Sequence, residues 1–541
     1  MRRDLAGPRG YQRVDALLSS PDPAAAVAAL SPPALFELVT QVGFADCTDL
    51  IALATPEQIR GCLDLDLWDR DRPLVDTAQP WLAAVIEAGF EKVGEVWDGL
   101  DPELRALVLQ RHTRIWDLSL GEEPDESSGL PWYFTPDTFF CVELQGDEDH
   151  VRHTRQLLED LYRADPVLAR HSIMAAHSEP ASELEETAYR WRSGRLADLG
   201  YVDFYEALDL FQPLEPDQVT IGEGTQERPD LIDDEDHAPR ALPATIAEQV
   251  VSRSFLARAL DAVADPAEAE RLEGAILIVT NKVLSAARVK PGDLDALRRG
   301  AAYATSTVSL GLEIVARGDV ERAAATLASV SLTRLHRVGH TIALKLARLA
   351  RGLAAGAALA GAPAADVVDA LVRPRPWLSR VLDDPPGPGV RPFESQADLR
   401  RVAEVLSRLT LRVAIAEALG VDLRAVAELP EPRPALDDHA RTALVRVVTG
   451  GPLSSAPLTG AELTAFRAAG FDGAALRDDA GERAQAAIAG LLDRQGLAAG
   501  RDALPALVAG WLADLERTFG GLTGAIDGRF VDGVLVAATR S

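Results

Sequence analysis

Two histidine pairs and one run of arginines carry the residue types in this sequence that could bind a metal or an anion. His336 and His340 stand four apart, the spacing that places two imidazoles on one helix face for a metal. No Glu follows His336 to make HExxH, so further ligands would have to come from elsewhere, and two histidines flanking an apolar helix face are the plainer reading. His150 and His153 stand three apart beside Asp147, Glu148 and Asp149. That set suits a divalent cation, although acids in a first helical turn are also explained by the helix dipole. Glu183, Glu186, Arg190, Arg192, Arg195, Asp198 and Tyr201 crowd into one stretch. Guanidinium forks match carboxylate and phosphate, so the cluster reads as a site for an anion, a carboxylate-bearing segment or acid–base chemistry. The plainer reading is a helical hairpin whose arginines pair with Glu185, Glu186 and Asp198. Cys141, beside Phe139 and Phe140, reads as a small buried residue rather than a nucleophile. Lys282 follows an apolar run and is either a buried amine or the wet face of a continuing helix. GxxxxGK[ST], GxGxxG and GxSxG are absent, so no cofactor is expected.

The elements that must position these groups are helices. From Ser182, capped with Glu185, a helix is predicted with an apolar stripe at Leu184, Ala188 and Trp191, stopping at Gly194. A second helix starts at Asp203 and ends before Pro213, so 182–211 reads as a hairpin. In the helix bearing His336 and His340 the stripe is Leu332, Leu335, Gly339, Ile342, Leu346 and Leu349. Gly339 inside it implies close approach of another helix. Cap-plus-proline starts recur at Ser31-Pro32, Thr55-Pro56, Gln79-Pro80 and Asp101-Pro102, at spacings of 24, 24 and 22. Proline suits a first helical position, where its missing N–H would have no partner. Gly43-Phe44 recurs as Gly89-Phe90, 46 residues on, a length typical of α-solenoid helix pairs. The best strand candidate is Pro131–Leu144, one hairpin.

The block AYRWRSGRLADLGYVDFYEAL, together with LDLDLW at Leu63–Trp68, NKVL and PGDL within Asn281–Leu294, and RLHRVGH at Arg334–His340, resembles an uncharacterised bacterial family known only as a domain of unknown function. The resemblance covers about residues 30–410. It implies a helical bacterial protein and transfers no activity. The Pro-Glu helix starts are also similar to those of the superhelical cytoplasmic domain of bacterial magnesium transporters, in architecture alone.

Composition agrees. Of 541 residues 47% are hydrophobic but only 5% aromatic, with Ala, Leu and Arg abundant, which favours helix over sheet. The formal net charge is −28, which opposes nucleic-acid binding. Three cysteines without a CxxC argue against a disulfide or zinc scaffold and for a reducing compartment. The longest charge-free Ala-rich run, 352–365, is shorter than the ~20 residues that span a bilayer, and no leader-like apolar segment opens the chain.

The expected organisation is a loose 1–20, a repeat-like helical domain at 21–214, an acidic linker at 215–240, a central helical domain at 241–384 and a helical segment at 385–450. A Gly/Ala-rich region, 451–541, is expected to be the least well packed, with a tail able to pair as a strand. The fold class expected is mainly α, solenoid-like at the N-terminal end, with at most a minor strand pair. The expected function is a non-enzymatic cytoplasmic scaffold for a protein partner. The alternatives are a ligand-binding or enzymatic site at 183–205 and a metal at His336 and His340.

Overall fold

The computed structural model describes residues 8–124, 126–198, 201–202, 204–219, 254–290, 292–496 and 501–537. Most of the acidic segment 215–240 lies outside them, as do Leu199, Gly200 and Asp203. The chain is mainly α-helical and divides into two compact units. The first comprises residues up to 212 with 221–305 and 320–334; the second comprises 213–220, 306–319 and 335–541.

In the first unit the proline starts become helices. The first helices are α1 (Pro8–Leu18), α2 (Pro23–Ala28), α3 (Pro32–Val42), α4 (Thr48–Leu53), α5 (Pro56–Asp66), α6 (Gln79–Glu87), α7 (Phe90–Gly99) and α8 (Pro102–His112), and the four recurring prolines open α3, α5, α6 and α8. α1 occupies part of the stretch expected to be loose; its Tyr11 hydroxyl donates to Asp46 at 3.0 Å. At α5, Thr55 Oγ1 accepts from the Gln58 N–H while Gln58 Oε1 accepts from the Thr55 N–H, a reciprocal cap. Gly43 and Gly89, 46 residues apart, both hold positive φ, +106° and +101°, a region open to glycine.

Helices two apart pack on one another: α3 on α5, α5 on α7, and α4 on α6. Glycine permits the approach. A Cβ at Gly61 of α5 would lie 2.6 Å from Pro32 Cβ, and one at Gly99 of α7 would lie 2.4 Å from Pro56 Cβ. Trp68, Trp81 and Trp97 fill the space between helices and are buried.

Among the described residues strand is confined to small antiparallel sheets, the first of them β1 (Trp68–Asp69) with β2 (Arg72–Pro73). The hairpin read at 131–144 is β4 (Trp132–Phe134) and β5 (Phe140–Leu144). β3 (Thr113–Asp117), which the sequence reading missed, pairs with the other side of β5. Its five residues follow α8 with no turn residue between. α9 (Glu148–Ala164), α10 (Pro166–Ser178), α11 (Ala181–Asp198) and α12 (Phe204–Ala207) follow.

In the second unit the helices ending at Val315 and Gly352 cross glycine to glycine. A Cβ at Gly339 would lie 2.2 Å from Thr307 O, and one at Gly311 would lie 1.9 Å from Leu335 O. The close approach read from Gly339 is therefore present. The C-terminal region is not loosely packed. Phe466, Trp511 and Phe519 are buried in a core with Leu463, Ile488 and Val508, because aromatic rings fill what the small residues leave. Arg446 holds the loop before it, donating to the carbonyls of Ser454, Ala456 and Pro457. The tail pairs with Leu458, whose N–H donates to Leu535 O and whose carbonyl accepts from Ala537 N. Among the described residues no helix is long and apolar enough to cross a membrane.

Candidate functional site

α11 carries the arginine-rich block, and it runs past Gly194 to Asp198. Gly194 is exposed mid-helix with no atom within contact distance of an added Cβ, so nothing stops the helix there. The buried stripe is Leu184, Ala188, Arg192 and Leu196, four apart throughout. Trp191, expected on that stripe, is 55% exposed. The register is turned by one residue because the buried Arg192 finds partners. Its Nε donates to the Asp64 carbonyl at 2.9 Å, and its guanidinium lies 5.2 Å over the Trp68 ring.

Arg195 makes two forks at once. Nε and Nη2 donate to the Asp64 carboxylate at 2.6 and 2.9 Å; Nη1 and Nη2 donate to Asp101 at 3.0 and 2.7 Å. The Asp64 side chain is only 5% exposed and that of Asp101 12%. Burial raises the Asp64 carboxyl above its ordinary value despite the hydrogen bonds from Arg195. The expected local pairings are replaced by these long-range ones, except for the exposed Arg190–Glu186 contact at 3.3 Å. Glu183 and Asp198 are exposed, while Tyr201 packs partly buried against the core. Arg192 and Arg195 are thus engaged with α5 and the start of α8.

Three of the family-like blocks meet here. Asp64 and Trp68 belong to LDLDLW, which receives Arg192, Arg195 and, at 5.9 Å between rings, Tyr189 of α11. Gly292 of PGDL lies where a Cβ would be 2.9 Å from Leu65 O. In NKVL the helix Pro266–Ala286 continues as the wet-face reading of Lys282 requires, and Lys282 is half-buried. Asn281 beside it is fully buried.

His336 and His340 belong to the second unit. Both are buried, at 0% and 5% exposure, with ring centroids 6.1 Å apart. The apolar stripe is displaced toward them, through Leu335, Gly339, Ala343 and Ala347, leaving Leu349 46% exposed. Burial, with the charge of Arg375, lowers His340 to about 4. Among the described residues no group of three His, Cys, Asp or Glu includes either histidine.

The pair His150 and His153 divides. His153 Nδ1 lies 3.0 Å from Gln79 Nε2, beside a small pocket lined by Leu109, His112 and Leu157. His150 turns instead to His112, with ring centroids 4.6 Å apart. Asp76, in the turn before α6, places Oδ1 3.4 Å from His112 Nε2. The ligand atoms of Asp76, His112 and His150 all lie within 4.8 Å of one another. Asp147 Oδ1 is 2.6 Å from His150 Nδ1 and also caps α9. Arg111 donates to both Asp76 oxygens at 2.8 and 2.6 Å and holds that carboxylate below its usual range. Burial, followed by the neighbouring His150, lowers His112, so it is neutral near pH 7. Sequence reasoning found His150 but not His112 or Asp76, which lie 38 and 74 residues away.

The three cysteines are free and buried. Burial, followed by the charge of Glu143, raises Cys141 to about 11, away from nucleophilic use. Beyond β5 the sheet presents a second face. Arg114 and Trp132 are both cross-strand partners of Glu143, and Trp116 and Phe134 are both partners of Cys141. The Trp116 and Trp132 rings stack at 5.8 Å, Arg114 lies 5.0 Å over Trp116, and Phe134 is 59% exposed. Glu143 is 2% exposed, and its Oε2 has no hydrogen-bond partner among the described residues.

Residues 1–537 match the model of a family of unknown function, DUF6178, and the chain belongs to that family. No curated protein and no solved structure matches it.

Proposed function

We propose that this member of the DUF6178 family is a non-enzymatic interaction protein of helical-repeat type, which presents a surface to a protein partner in a bacterial cytoplasm. The observation that carries the reading is the outer face of the three-stranded sheet. Edge strands β3 and β4 there supply Trp116, Trp132, Phe134 and Arg114 around the buried Glu143. Aromatic and Arg side chains dominate binding energy at protein interfaces. A buried carboxylate short of a donor favours a partner with a basic side chain, as does the net charge of −28. The arginine block supports the same reading, because Arg195 is engaged in buried ion pairs and Arg192 in a buried hydrogen bond to the Asp64 carbonyl, and both serve packing. Stacked helices are a frequent platform for extended interfaces, and the three free thiols fit a reducing compartment.

The test is a photo-crosslinking residue at Phe134 in cells, with the same residue at the exposed Glu404 as control. The expected result is one reproducible protein adduct at Phe134 that Trp132→Ala abolishes. An adduct pattern shared with Glu404, or none, counts against the reading.

A further inference from the structure

The structure assigns Asp76, His112 and His150 as the protein ligands of a divalent transition-metal site, for which Zn2+ is the best-matched ion. Three separate elements supply them: the turn before α6, the last residue of α8 and the first turn of α9. Chain proximity does not account for the grouping. The loop from β5 makes it, where Gln145 N–H donates to the His112 carbonyl at 2.8 Å. Gly146 follows with φ +109°, and a Cβ there would lie 2.8 Å from His150 Cβ. Any larger residue would displace the imidazole.

The donor chemistry fits. Two imidazoles and a carboxylate suit zinc and its first-row neighbours, and three protein ligands with a solvent side leave a position for water. Asp76 is about half exposed and supplies that solvent side, whereas the His112 side chain is 13% exposed. The Asp147 carboxylate on His150 Nδ1 is the orienting partner that metal-bound histidines use, and it leaves Nε2 for the ion. Arg111 has the same relation to Asp76: it fixes the carboxylate while each oxygen retains a second lone pair. Its positive charge opposes that of the ion, so binding is weaker than in an all-anionic site. The ion would tie α8, α9 and the 75–78 turn together.

The experiment uses the full chain, stripped with a chelator, with Zn2+ titrated against a chromophoric competitor and Co2+ followed by its visible spectrum. One equivalent is expected. His112→Ala and His150→Ala should each weaken Zn2+ binding by at least about tenfold and erase the Co2+ band. Asp147→Asn, which keeps the helix cap, should weaken it by about tenfold. His171→Ala, at an exposed histidine elsewhere, should change nothing. Should His112→Ala not fold, Asp76→Asn at the exposed ligand answers the same question. The assignment is overturned if the wild-type chain binds neither ion. It is also overturned if Asp76→Asn and His150→Ala both bind within about threefold of wild type, which would mean adventitious binding by other surface groups.

Discussion

Arg195→Ala removes one side chain and leaves two buried carboxylates facing each other. Asp64 and Asp101, at 5% and 12% side-chain exposure, lose four hydrogen bonds to one guanidinium. Breaking a buried ion pair from one side costs about 3–5 kcal/mol, because the stranded charge keeps its desolvation penalty. Part of that cost can be relieved by protonation. Burial already raises the Asp64 carboxyl, and loss of Arg195 raises it further. The folded variant then holds a proton that the unfolded chain does not. Its stability therefore rises as pH falls through that raised pKa toward the ordinary value of 3.8, by up to about 1.4 kcal/mol per pH unit. Adding Asp64→Asn and Asp101→Asn should restore much of the loss by removing the stranded charges. Urea unfolding followed by tryptophan fluorescence is the assay, since six of the eight tryptophans lie between Trp68 and Trp191 and report on the first unit. A deficit under about 1 kcal/mol that does not change with pH would refute the clamp. So would unchanged stability accompanied by lost affinity for an anion, which would return Arg195 to the ligand-binding reading.

Three further outcomes follow from the packing. Gly339→Ala places a Cβ 2.2 Å from the Thr307 carbonyl, so the helices must separate; a loss of about 3 kcal/mol is expected in calorimetry of the second unit's transition, and an unchanged Tm would contradict the crossing. Gly194→Ala should instead stabilise the first unit by roughly 0.5–1 kcal/mol, since the site is open and helical; destabilisation would mean that α11 ends there after all. His340 titrates at about 4 in the folded chain against an ordinary 6.5. Its contribution is complete above pH 6.5 and declines by about 3 kcal/mol as pH falls to 4. His340→Gln should flatten that part of the pH–stability curve, and an identical slope in both proteins would remove His340 as its source.

Much of the architecture was legible because it is local. Proline specifies helix starts through its missing donor, and Ser31-Pro32, Thr55-Pro56 and Asp101-Pro102 all begin helices at the proline, Thr55 adding a side-chain acceptor for the Gln58 N–H. The Pro131–Leu144 hairpin was visible from its aromatic and β-branched run, and the close approach at Gly339 from a glycine inside an apolar stripe. β3 was not legible: TRIWD is short and follows helix directly. The packing of the C-terminal region was misjudged because composition registers its glycines and alanines but not that Phe466, Trp511 and Phe519 converge.

The sequence by itself determined the fold class, the helix starts and which residues have chemistry to offer, since periodicity, capping and side-chain type act over a few residues. Only the tertiary structure decided what that chemistry meets. On α11 a helical wheel prefers Trp191 inside and Arg192 outside. The reverse occurs because Asp64 and Trp68, more than a hundred residues earlier, supply an acceptor and an aromatic face that make a buried guanidinium affordable. Likewise His150 had a visible neighbour in His153, yet its spatial partners are His112 and Asp76. Partnership between side chains depends on distance in space, and a loop such as Gln145–Asp147 sets that distance without leaving a periodic mark on the chain.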